Sequence, residues 1–293
     1  MRKLIILLSV FTIASCSTLK KSPLSLSDAD KALKEKNYSE ALTILEKLIA
    51  TYEANGTSDT TLAYEKAGNA ASALGDTLKA ERYYKMAVYH QTATAPVYVF
   101  LADYYKKLDN LSKEVMALEG LAEHYPTSAE AEITYPRLFT YYVNTSQWDQ
   151  AVGIWMKIPQ DQKVLPLLSD WLNVCIKRKD AEAADIAAQE VLTADSQNRS
   201  AMLWKAQRFY DKGEARYQQE MADYEKNKTH AQYAKLTKGL EFSTSDFRSA
   251  LKLFEKVYKM QSESSVALMI SNIYARFGDE ANTTKFRRLS ELK

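Results

Sequence analysis

Glycine and proline are scarce in this chain, at eight and six of 293 residues. So few turn formers, with no alternating β-branched runs, exclude a strand-and-hairpin architecture and predict a mostly helical one. Histidine is scarcer, at three. His90, His124 and His230 have no His or Cys neighbour at metal-ligand spacing. No Gly-x-Ser-x-Gly, Walker-type or dinucleotide-binding glycine pattern occurs either. Asp28 and Asp30 suit a helix start, favoured there by the macrodipole, and do not form a calcium loop. Glu130 and Glu132 stand two apart, so on a helix they face different ways. The expectation is a chain with no catalytic set, no metal site and no cofactor, and so not an enzyme. Formal charge is nearly balanced, 39 basic against 37 acidic residues, with no basic stripe to attract nucleic acid. Only one long apolar run exists, Leu4 to Ile13, and it is shorter than the about 20 residues a bilayer span takes.

That run follows Arg2 and Lys3 and ends in Ile13-Ala14-Ser15-Cys16. A charged start, a short apolar stretch and small residues at a cut form a secretory signal. A branched apolar residue, two small residues and then cysteine resemble the lipobox of bacterial lipoproteins. The resemblance implies cleavage after Ser15, with Cys16 carrying thioether-linked diacylglycerol and an amide-linked acyl chain. Residues 1–15 are then the signal peptide. Residues 16–25, small and polar with Pro23, form a lipidated flexible tether. Losing Arg2 and Lys3 from the 39 basic residues leaves 37, which equals the acidic count, so the mature chain is formally neutral. With Cys16 lipidated, Cys175 has no disulfide partner within the chain, and within WLNVCIKRK it reads as a buried small hydrophobe. Ser17 follows the cysteine where the common sorting rule has Asp for inner-membrane retention, which favours the outer membrane.

From residue 26 the pattern is helix, short break, helix. A small residue marks each second helix: Ala41, Ala80, Ala151, Ala184 and Ala250. Apolar residues follow at spacings of three and four, as in Ala41–Leu45–Leu48, Ala80–Tyr84–Ala87, Ala151–Trp155–Ile158 and Ala250–Phe254–Val257. That spacing places them on one helix face, and the small residue lets two helices approach. The clearest unit has Tyr64, Ala67, Gly68 and Ala71, then Gly75 at a turn, then Ala80, Tyr84 and Ala87. The next has Leu101, Ala102, Tyr105, Leu118, Leu121 and a closing Pro126, with Glu114 where Ala is expected. This register resembles the tetratricopeptide repeat (TPR). It recurs at about 33–39 residues over units near 26–56, 57–94, 95–128, 129–162, 163–197, 198–261 and 262–293. The resemblance implies an all-α, right-handed TPR-like α-solenoid of about seven helix pairs over 26–293. Trp148, Trp155 and Trp171 fall at its core positions.

The sixth unit departs from the register. Measured from residue 207, Ala250 arrives 31 residues late, so about 214–244 read as an insertion. Tyr210, Tyr217, Met221 and Tyr224 suit one helix face, which predicts a projecting helical hairpin. The last unit ends in a polar helix, as a solenoid cap requires.

In tetratricopeptide proteins the first helices line a partner groove. The register then nominates Glu65, Asn69, Asp103 and Lys106 in the N-terminal units. In the later units it nominates Asn144, Asn173, Lys177, Trp204, Arg208 and Lys212. Asn side chains can bond an extended peptide backbone, and Lys or Arg a carboxylate. The Lys, Asn and Arg spacing of the carboxylate clamp is not reproduced. The expected role is a non-catalytic protein–protein interaction scaffold, lipid-anchored in a bacterial envelope. Its partners are envelope proteins and the membrane, without nucleic acid. The plan of signal, lipid and repeats, with YP in EHYPTS, is similar to the outer-membrane assembly lipoproteins of the BamD family. Membership of an assembly or secretion complex follows from that resemblance. The alternative is a lipoprotein that binds a glycan or peptide ligand.

Overall fold

The computed structural model describes residues 24–55 and 61–292. The signal peptide, Cys16 and most of the tether lie outside the described residues. Those described fall into two compact units, one ending at Glu114 and the other beginning at Val115. Among them are fourteen α-helices, one short 3-10 turn at Gln160–Gln162, and no strand.

In the first unit lie α1 (Leu26–Lys34), α2 (Tyr38–Asn55), α3 (Thr61–Ala73), α4 (Thr77–Tyr89) and α5 (Ala95–Lys107), with the start of α6 (Leu111–His124). The second unit takes the rest of α6. It continues with α7 (Ala129–Asn144), α8 (Trp148–Trp155), α9 (Leu165–Lys177) and α10 (Ala181–Ala194). It closes with α11 (Arg199–Lys226), α12 (His230–Met260), α13 (Ser264–Arg276) and α14 (Glu280–Glu291). The expected seven pairs are these helices taken two by two.

One turn recurs within six pairs. Its central residue has positive φ: Lys36, Gly75, Asp109, Ser146, Lys179 and Gly278, between 53° and 78°. The next N–H bonds a carbonyl five residues back, as from Asn37 to Ala32 at 2.8 Å, Asp76 to Ala71 at 3.0 Å and Asp180 to Cys175 at 3.0 Å. This Schellman closure satisfies the end of the first helix. The residue just after the positive φ then caps the second helix. Asp76, Asp180 and Asp279 each accept from the backbone N–H three residues on, at 3.0 Å. Only two of the six central residues are glycine, which is why glycine-counting shows few turns.

Packing follows the small-residue register. Ala41, Ala80, Ala151, Ala184 and Ala250 are all fully buried, and so are Leu45 and Phe254. Gly68 on α3 lies directly under the ring of Tyr84 on α4: a Cβ there would stand 2.5 Å from two ring carbons. The departure at Glu114 is accommodated with the residue nearly buried.

The tryptophan expectation needs correcting. Trp155 is buried, but Trp148 and Trp171 are only half-buried. Trp148 opens an eight-residue helix, so no turn of that helix precedes it. Trp171 instead lies flat on Trp155, with ring centroids 4.9 Å apart.

In the sixth pair α11 runs 28 residues and α12 runs 31, joined at Asn227–Thr229, where the Thr229 hydroxyl caps α12. The extra residues extend both helices without a break and form the hairpin. Its base is close-packed. Ser243 Oγ donates to the Gly213 carbonyl at 2.8 Å, and Phe247 lies over Gly213. Beyond it, α14 has no buried residue, as suits an end.

Candidate interaction groove

Three successive first helices of the second unit, α9, α11 and α13, meet around a cleft of about 670 Å³. Its lining repeats at helical spacing: Asp170, Asn173 and Ile176 on α9, then Ser200, Leu203, Trp204 and Gln207 on α11. Val266 and Met269 of α13 complete it. Leu172, Val266 and Phe254 belong to its floor and are almost wholly buried. Serine, asparagine and glutamine make up most of the polar rim. The Asn198 side chain, also lining the cleft, caps α11 by accepting from the Ala201 N–H at 3.1 Å.

Asp170 is the only charged residue in that lining. It is half-buried, and desolvation holds its pKa above the usual carboxylate value. Among the described residues no Lys or Arg pairs with it. Three cations of α11 are paired elsewhere. Arg208 pairs with Asp185 at 3.2 Å, Lys212 with Asp246 at 3.3 Å and Arg199 with Glu263 at 2.7 Å. The Trp204 indole N–H donates to Asp185 at 2.8 Å, which fixes the ring beside the cleft.

Of the nominated residues, Asn173 and Trp204 line this cleft. Arg208 and Lys212 lie further along α11 and carry the ion pairs just named, while Asn144 and Lys177 are exposed near the ends of α7 and α9. In the first unit, Glu65 binds the Thr94 backbone N–H at 3.0 Å and its hydroxyl at 2.7 Å, which ties α3 to the start of α5. Asn69 accepts from the Tyr84 hydroxyl at 2.8 Å. Asp103 and Lys106 are exposed on α5. Sequence reasoning missed Asp170 and Gln207. Each sits three residues from a nominated position, Asn173 or Trp204, so the helical period alone could have found them.

The fold is a tetratricopeptide-like array of helix pairs. The chain is similar to the C-terminal part of a TPR repeat-containing protein from Cytophaga hutchinsonii. Identity is 14% over 91% of this chain and 94% of that one, with a TM-score of 0.42. A putative protein binding protein from Bacteroides ovatus matches at 15% identity over 75% and 98% of the two chains, with a TM-score of 0.48. A TPR repeats protein from Bacteroides fragilis matches at 13% identity over 85% and 96%, with a TM-score of 0.31. No family model and no curated protein matches the chain.

Cys175 is buried, and burial pushes its thiol up to about 12, which keeps it protonated at neutral pH. His90 ends α4 and stacks on Tyr64 with centroids 5.2 Å apart. His124 is the last residue of α6 and His230 the first of α12, both exposed. Glu130 and Glu132 sit in the first turn of α7, and Asp28 closes a capping box with Ser25. Buried and half-buried tyrosines tie one pair to the next. Tyr105 donates to Glu81 at 2.7 Å, Tyr142 to Glu119 at 2.7 Å and Tyr274 to Glu255 at 2.8 Å. Desolvation, then the hydrogen bond to Glu255, raises the Tyr274 phenol to about 12. Among the described residues no three His, Cys, Asp or Glu side chains gather as a metal set. No described helix is long and apolar enough to cross a membrane.

Proposed function

We propose that this chain is a non-catalytic protein–protein interaction scaffold, anchored by lipid at Cys16 to a bacterial envelope membrane, the outer one by its Ser17. The observation that carries the interaction role is the cleft across α9, α11 and α13. It joins an apolar floor to a rim of amides and hydroxyls, the chemistry that receives a polypeptide segment. The lipobox-like Ile13-Ala14-Ser15-Cys16 supports the anchor. The shared plan with outer-membrane assembly lipoproteins supports a place in an assembly or secretion complex.

The test is a cross-linked pull-down of the full-length lipidated protein from detergent-solubilised envelopes, read by mass spectrometry. A defined set of envelope proteins, reproducibly recovered, is the expected result. Recovery of the protein alone would overturn the scaffold reading in favour of a lipoprotein that binds a soluble glycan or peptide.

A further inference from the structure

Asp170 is a carboxylate without a cation. Taking a carboxylate partly out of water is costly unless a counter-charge or donors replace the lost hydration. Elsewhere around α11 carboxylates do have a cation, Asp185 that of Arg208 and Asp246 that of Lys212. At Asp170 the neighbours on its own helix face are Leu167 and Asn173, and across the cleft stand Ser200, Leu203 and Trp204. None can carry positive charge. The cleft therefore offers a cation one carboxylate on the rim and an apolar floor of Leu172, Phe254 and Val266 beneath.

We propose that this cleft receives a lysine or arginine side chain of a partner polypeptide, its charge on Asp170 and its aliphatic stem over the apolar floor. This rests on the reading of the protein as an interaction scaffold. A long cationic side chain suits the site because its stem buries apolar area while its head stays at the rim. A volume of about 670 Å³ exceeds one side chain, so flanking residues of the same segment enter as well. Their backbone meets the Asn173 and Gln207 amides, which can donate and accept. The charge preference also excludes acidic segments, because an anion would face an unscreened carboxylate.

A random nonapeptide display library, selected on the full-length protein in detergent, tests this. Asp170→Asn keeps the shape and removes the charge, and circular dichroism checks that helicity is kept. Peptides enriched on the wild type are expected to share one Lys or Arg position. Their affinity should fall about tenfold or more on Asp170→Asn. Replacing that Lys by norleucine should cost the same on the wild type and nothing on the variant. Enriched peptides with no common cation, or with equal affinity for both proteins, would overturn the cation assignment and leave the peptide groove standing. If no peptide is enriched while the pull-down also recovers no protein, the scaffold reading fails with it.

Discussion

At the scale of single residues, two glycines on helices make opposite demands. Gly68 faces the Tyr84 ring across the α3–α4 contact, with room for hydrogen but not for a methyl group. Gly68→Ala must push that ring out of a site where it is 5% exposed and its hydroxyl is bound to Asn69. Overpacking of this kind costs about 1–3 kcal/mol. Gly153 on α8 has nothing within 4 Å of a Cβ. There the substitution removes only the helix penalty of glycine, a gain of up to about 1 kcal/mol. At about 2–4 °C per kcal/mol for a protein near this size, Gly68→Ala should lower the melting temperature by several degrees. Gly153→Ala should raise it slightly. Equal shifts for both, measured by calorimetry, would mean that the α3–α4 contact does not depend on the missing methyl group.

At the scale of elements, the helix pairs were legible because their determinants are local. The alanine of the second helix and its partners at three and four residues lie within two turns, and the structure buries Ala41, Ala80, Ala151, Ala184 and Ala250 alike. The cleft was only half legible. Asn173 and Trp204 could be placed by register, but whether a charge is free depends on helices distant in sequence. Arg208 and Lys212 look like open cations until Asp185 and Asp246, 23 and 34 residues away, are brought beside them. Asp170 stands out only once those pairs are known. The hairpin of α11 and α12 shows the same limit, since its tie to α13 joins residues 62 apart. Arg276 binds Glu214 at 2.6 Å, and its guanidinium lies 4.2 Å from the Tyr217 ring centroid. Stacking and pairing from one planar group is not reproduced by an ammonium. Arg276→Ala should therefore speed amide hydrogen exchange over residues 213–226, with Arg276→Lys restoring only part of the protection. The buried second half of α12, around Phe254 and Val257, should be unaffected. Unchanged exchange in 213–226 would show that the glycine-based contacts at the hairpin base hold it alone.

At the scale of the whole molecule, the question is how the helical array meets its membrane. The first described helix is firmly capped: Ser25 caps α1 by accepting from the Asp28 N–H, and the Asp28 carboxylate answers by accepting from the Ser25 backbone N–H at 2.9 Å. The Ser25 hydroxyl, donating to the same carboxylate at 2.8 Å, and then the backbone N–H hold the Asp28 carboxyl below its usual value. Residues 17–25, with Pro23 among them, stand between Cys16 and the first described helix. No described helix can itself span a bilayer, so on the proposed reading attachment depends on acyl chains. Each buried CH₂ contributes about 0.8 kcal/mol, so two or more chains hold firmly where one holds marginally. Cys16→Ser removes the acceptor sulfur and leaves α1 and everything after it unchanged. The variant should appear either as unprocessed precursor or in the soluble fraction, while the wild type stays with envelope membranes through a high-salt wash. The wash strips proteins held by charge alone, and a formally neutral mature chain has little such attraction to anionic lipid. Retention of processed Cys16→Ser on the membrane after that wash would show attachment through a protein partner instead. The cleft across α9, α11 and α13 would then be the first place to look for it.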